Sequence, residues 1–273
     1  MSNCRTIALC NQKGGVTKTT TTANLGVGLA TQGKRVLLVD TDPQADLTTA
    51  LGWPNSDALT MTLVDIMRGI MDDTEIGGHD AILRHDEGVD LIPSSIELSG
   101  MEMELVSAMS REFTLRSYLD TIKHEYDYIL IDCPPSLSML TINALAAANS
   151  VIVPVQAQYL PAKGMTQLMK TVNKIRKQIN PALKVDGVLL TLADTRTKLA
   201  RATAETLREQ YGGMLKIYTA RIPVAVKAAE ISAVGQSIFA YDAGSKVARA
   251  YEEFTKEVLA DGERAKTKPA PGR

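Results

Sequence analysis

Aromatic residues are scarce in this sequence: Phe, Tyr and Trp make up 4% of 273 residues, with a single Trp. Between Thr195 and Lys227, where basic residues cluster, the rings are too few for base stacking, so phosphate contact is the expected mode of any nucleic-acid binding there. Cysteine is scarce too. Cys4, Cys10 and Cys133 are odd in number, widely spaced and without a C-x-x-C pair, which excludes a disulfide framework and points to reduced cytoplasmic thiols. No apolar run approaches the ~18–20 residues of a membrane helix. The N-terminal "MSNCRT" has no apolar region of the kind a secretory signal carries. Charge of one sign is also missing: the formal net charge is −1, so any polyanion must be met by a local patch rather than by the whole molecule. Internal repeats and Pro/Gly/Ser-rich linkers are absent. What is present is the balance of an ordinary globule, 45% apolar and 22% charged. The expectation is one domain over residues 1–261 and a disordered tail over 262–273.

Short β-branched runs alternate with longer helical patterns. Residues 5–10, 34–40, 88–93, 126–132, 150–155, 185–192 and 214–219 read as strands. Most are nearly continuous apolar runs, the mark of parallel strands buried on both faces. Helical windows cover 18–32, 113–125, 138–148, 163–179, 197–211 and 244–260, and residues 43–87 read as an insertion of short helices. Repeated β-α-β order predicts an α/β fold: a doubly wound, mostly parallel sheet with helices on both faces. In such sheets ligands sit beyond the carboxyl ends of the strands.

Three strand ends carry chemistry. "NQKGGVTKTTTT" follows the first strand. It lacks the spacing G-x-x-x-x-G-K-[ST], with Gln12 and Thr17 at the two glycine positions, yet Gly14 and Gly15 can turn a backbone around an anion. A helix starting near Lys18 would aim its dipole at the same point. There Lys18 would neutralise phosphates and Thr19 would ligate Mg²⁺. A Lys- and Thr-rich helix cap is the other reading of this loop alone. "LLVDTDPQAD" follows the second strand, and alternation places Asp40 and Asp42 on one side. An N-cap and a turn acid before Pro43 would look the same. "YDYILIDCPPS" ends in Asp132, the arrangement of a Walker B acid beside nucleotide-bound Mg²⁺. Three such ends in one parallel sheet favour a nucleotide hydrolase over three unrelated caps.

"KGGVTKTT", "VLLVDTDPQ", "YDYILIDCPPSLSMLTINAL" and "RIPVAV" together resemble the deviant Walker A P-loop ATPases of the ParA/MinD class, and most closely the ParA-type partition ATPases. The resemblance runs from Thr6 to about Leu259. It implies an ATP- and Mg²⁺-binding loop formed by Lys13, Gly14, Gly15, Val16, Thr17, Lys18, Thr19 and Thr20. It also implies an ATP-bound homodimer in which Lys13 reaches the partner's nucleotide. By the same resemblance Asp42 positions the hydrolytic water, Asp40 supports the metal and the loop, and Asp132 with Thr19 completes the metal site. Thr191 and Pro223 fall in segments that line the adenine pocket. Thr17 departs from the family, which carries Gly there; if the position needs a positive φ, a β-branched Thr is strained. Gln158 and Lys163 also replace acids of many relatives.

The resemblance further implies nonspecific double-stranded DNA as a partner, and a centromere-binding ParB-like protein that stimulates hydrolysis. Arg196, Lys198, Arg201 and Lys227 are the candidate DNA residues, in a segment where Glu205 and Glu209 also allow a solvated helix face. The expected location is the cytoplasm, on the nucleoid. The chain begins almost at its first strand, so no helix-turn-helix region for autorepression is expected. A MinD-type membrane ATPase would need a basic amphipathic C-terminal helix, and Gly262, Pro269 and Pro271 interrupt one here. An iron–sulfur ATPase would need paired cysteines, which Cys133 lacks. A ParA-like positioner of other cargo would share nearly all of these features.

Overall fold

The computed structural model describes residues 4–74, 76–157, 162–193, 202, 205–207, 209, 211–213, 215–224 and 234–267. Eight strands form one sheet in the order β3-β4-β2-β5-β1-β6-β7-β8. They are β1 (Arg5–Leu9), β2 (Val36–Asp40), β3 (Leu83–Arg84), β4 (Val89–Ile92), β5 (Tyr128–Asp132), β6 (Ser150–Gln156), β7 (Lys184–Thr191) and β8 (Ile217–Arg221). All neighbours run parallel except the two-residue edge strand β3, which pairs antiparallel with β4. Strands β2 and β5 bury every residue, as runs such as "VLLVD" require when both faces are covered.

Alternation along the strands divides the core in two. Ala8, Val39, Ile131 and Val153 face one way, against α3 (Leu63–Met71), α4 (Leu98–Ser107), α5 (Thr114–Ile122), α6 (Met139–Ala147) and α7 (Ala162–Gln178). Leu9, Leu38, Leu130 and Ile152 face the other way, against α1 (Lys18–Thr31), α2 (Asp46–Ala50), α8 (Ile238–Tyr241) and α9 (Lys246–Thr267). The predicted doubly wound sheet is therefore present.

The structure corrects four local expectations. β8 starts at Ile217 rather than 214, because Leu215 still bonds back to Tyr211 in a helical turn; Tyr218 and Ala220 then alternate into the core. Strand β3 was hidden by its length. Helix α4 was not predicted, since Gly100 and exposed Met103 and Val106 blur the pattern of Leu98, Met101 and Leu105, which are buried. Finally, α9 does not stop at 260 but continues through Gly262 to Thr267. Gly262 reads as a helix breaker by propensity, yet here it allows close approach: a Cβ on it would lie 2.6 Å from Tyr128 Oη and 3.3 Å from Arg5 Nη1.

Candidate functional site

Loop 10–17 joins β1 to α1 at the carboxyl edge of the sheet. Asn11 pins its start: Nδ2 donates to Pro154 O on β6 at 2.7 Å, and Oδ1 accepts from Lys13 N at 3.0 Å. Gly15 (φ 69°) and Thr17 (φ 65°) both adopt left-handed backbone. Thr17 thus holds the conformation that favours glycine, at a strain of about 1–2 kcal/mol. Gly14 and Gly15 are exposed, and a Cβ on either would meet nothing within 4 Å, so the backbone faces open space where an anion can approach. From below, the buried Thr191 at the end of β7 donates its hydroxyl to Val16 O at 3.0 Å. It braces the loop. Pro223 stands half-buried just past β8, next to Ile222, whose N–H bonds to Leu190 O at 2.9 Å.

The two loop lysines part company. Lys18 is buried and its Nζ turns back to Lys13 O at 3.5 Å. Lys13 is exposed, and its Nζ donates to Gln156 Oε1 at the end of β6, at 3.0 Å.

Beneath the loop, sheet register sets Asp40 of β2 opposite Asp132 of β5, with Leu9 of β1 on the other side. Asp132 is fully buried; its Oδ2 accepts from Thr19 Oγ1 at 2.7 Å, and Thr22 Oγ1 lies 3.2 Å from Oδ1. Burial, and then the charge of Asp40, push its pKa up to about 8. Asp40 is equally buried and faces the following loop: Oδ1 accepts from Asp42 N (3.1 Å), and Oδ2 from Thr48 N (2.9 Å) and Thr48 Oγ1 (2.7 Å). Burial pushes its pKa up to about 7, while three donors on its two oxygens pull toward the anion. Asp42 is nearly buried and caps the next turn, accepting from Gln44 N at 3.0 Å.

Lys13, Gly14, Gly15, Val16, Thr17, Lys18, Thr19, Thr20, Asp40, Asp42 and Asp132 are therefore gathered on two strand ends and one loop, with Thr191 touching the loop through Val16. Arg196, Lys198, Arg201, Lys227 and Gln158 lie outside the described residues, as does the side chain of Lys163. The residue-by-residue reading missed Asn11, Thr22, Thr48 and Gln156. Thr22 was signalled by its position one turn after Thr19; the other three act through tertiary contacts with no local pattern.

The geometry fits a magnesium nucleotide. Mg²⁺ keeps several waters and binds through few protein groups plus phosphate oxygens. Among the described residues no group of three His, Cys, Asp or Glu is placed to hold a metal ion, and what stands ready is the Thr19 hydroxyl on Asp132 beside an open glycine loop. Lys18 and the α1 N-terminus add positive potential.

Comparison with known proteins agrees. A family described as AAA domain matches residues 4–185, more than half of the chain. The sporulation initiation inhibitor protein Soj of Bacillus subtilis is 44% identical over 256 residues, 94% of this chain and 98% of Soj. The chromosome partitioning protein ParA of Caulobacter vibrioides is 41% identical over 258 residues, 93% of this chain and 94% of that protein. Among solved structures, a protein from Mycobacterium smegmatis described as cobyrinic acid a,c-diamide synthase, with bound ADP and magnesium, superposes with a TM-score of 0.84 at 36% identity over all of both chains. The same protein is also solved with an ATP analogue and magnesium.

Proposed function

This chain belongs to the ParA/MinD-type P-loop ATPases and hydrolyses ATP with magnesium, and from that premise we propose that it works as a partition switch. ATP binding joins two copies face to face, the dimer holds double-stranded DNA without regard to sequence, and hydrolysis stimulated by a ParB-like partner releases it. In this reading Lys18 and the loop backbone carry the phosphates. Thr19, backed by Asp132, holds magnesium, Asp42 orients the attacking water, and Asp40 keeps Asp42 in place. Nucleoid association follows from the DNA.

The observation that carries the reading is the contrast between the lysines. Lys18 is folded into its own loop, whereas Lys13 is exposed at the rim, on Gln156. A lysine set at the edge of a phosphate site can reach an anion across an interface, where its charge does most at a desolvated phosphate. The names of the relatives, a sporulation inhibitor and a chromosome partitioning protein, support the assignment of the switch to DNA segregation.

The test is retention on nonspecific duplex DNA with and without ATP. Retention should require ATP and fall steeply with salt, as release of counterions from phosphate demands. Arg196→Glu should abolish it with nucleotide binding intact, and Lys13→Ala should abolish ATP-dependent dimers. DNA retention that survives Arg196→Glu would show the patch to be misassigned; ATP-bound dimers formed equally well by Lys13→Ala would overturn the role of the rim lysine.

A further inference from the structure

The left-handed Thr17 has a neighbour on the far side of the chain. Tyr251 lies in α9, fully buried, with its ring under the start of α1. Its hydroxyl shares a hydrogen bond with Thr21 Oγ1 at 3.3 Å. Thr17 stands one turn before Thr21, whose N–H donates to Thr17 O at 2.9 Å, and its buried Oγ1 lies in reach of the same phenol oxygen without a well-formed hydrogen bond. A buried hydroxyl without a partner is costly, and this one sits on a residue whose backbone is already strained. Burial keeps the phenol protonated and able to donate throughout the neutral range. The contact joins the C-terminal helix to the residue directly before Lys18, so whatever holds Thr17 also sets where Lys18 and the first turn of α1 begin.

We propose that Tyr251 is a positioning residue for the phosphate-binding loop: its hydroxyl pairs with the Thr17 hydroxyl, and so holds in place a left-handed backbone that a glycine would adopt unaided. The C-terminal helix is thereby part of the ATP site. Thr21 keeps the phenol oriented. The inference rests on the ATP site alone and does not depend on DNA or on a ParB-like partner.

The experiment is a double-mutant cycle read by binding of a fluorescent ATP analogue with magnesium, with turnover measured alongside. Tyr251→Phe should weaken binding about three- to tenfold, the range of one hydrogen bond. In Thr17→Val, which keeps the branched shape but removes the hydroxyl, Tyr251→Phe should change binding by less than about twofold. Thr17→Ser restores the hydroxyl and should restore the full dependence on Tyr251. If Thr17→Val does not bind nucleotide, Thr17→Gly serves as the second background, again with no dependence on Tyr251 expected. Thermal unfolding of each variant identifies any loss of fold. An equal effect of Tyr251→Phe with and without the Thr17 hydroxyl would overturn the proposal and leave Tyr251 a packing partner of Thr21, as would an unchanged affinity in Tyr251→Phe itself.

Discussion

Binding of Mg·ATP should expel a proton from Asp132. Burial, and then the neighbouring Asp40, push the pKa of that acid up to about 8. At pH 7 a group with this pKa carries about 0.9 proton. A divalent cation held at Thr19, as proposed above, would reverse the preference, because it stabilises a carboxylate at close range. Calorimetric titration with Mg·ATP in two buffers of different ionisation heat should then show release of nearly one proton at pH 7. The affinity should rise about tenfold, or 1.36 kcal/mol, per pH unit between roughly pH 6 and 8, and level off above. Without nucleotide the sign is opposite. The folded chain binds more protons than the unfolded one between the unfolded pKa of 3.8 and the folded value of about 8. The stability from this group is thus fully present below the lower value and is lost as pH rises through the upper one. Asp132→Asn should flatten both profiles. Release of less than about 0.2 proton at pH 7, or the same slopes in Asp132→Asn, would refute the reasoning.

Two further outcomes test how the site is held. Thr48→Val removes the hydroxyl that donates to Asp40 and accepts from Ser94 N, leaving two buried groups short of a partner; urea unfolding should show a loss of about 2–3 kcal/mol. Turnover should fall with ATP affinity little changed, since the loop bearing Asp42 is loosened and the glycine loop is not. Gly262→Ala should lower the melting temperature, although alanine favours a helix by about 1 kcal/mol, because its Cβ would meet Tyr128 Oη at 2.6 Å. Adding Tyr128→Phe removes that oxygen and should turn the same substitution stabilising; a Gly262→Ala variant that is stabilising by itself would show that the helix is not pressed on β5.

Strand positions and the ATP-site acids were legible because both obey local rules. A doubly buried parallel strand must be apolar along its length, and an acid at its end has a position set by the strand. Asp40 and Asp132 could be read as neighbours of the phosphate loop before the register confirmed them side by side. Thr17 was legible as a position at risk, and its φ of 65° shows that the chain did not relax around the substitution. The extent of α9 was not legible: propensity speaks against Gly262 in a helix, and only contact with Tyr128 gives it a purpose. Helix α4 was hidden because its apolar residues are split between core and surface.

The sequence by itself therefore determined the fold class, the ATPase family and the positions of the acids that end the strands, since each depends on residues close together along the chain. The tertiary structure decided what those residues lean on: Lys13 on Gln156, Thr19 on Asp132, Asp40 on Thr48, and Thr21 on Tyr251. Three of these four pairings join residues more than 100 positions apart, and no spacing rule reaches across that distance. Packing of α9 on α1 and the register of β1, β2, β5 and β6 bring them together.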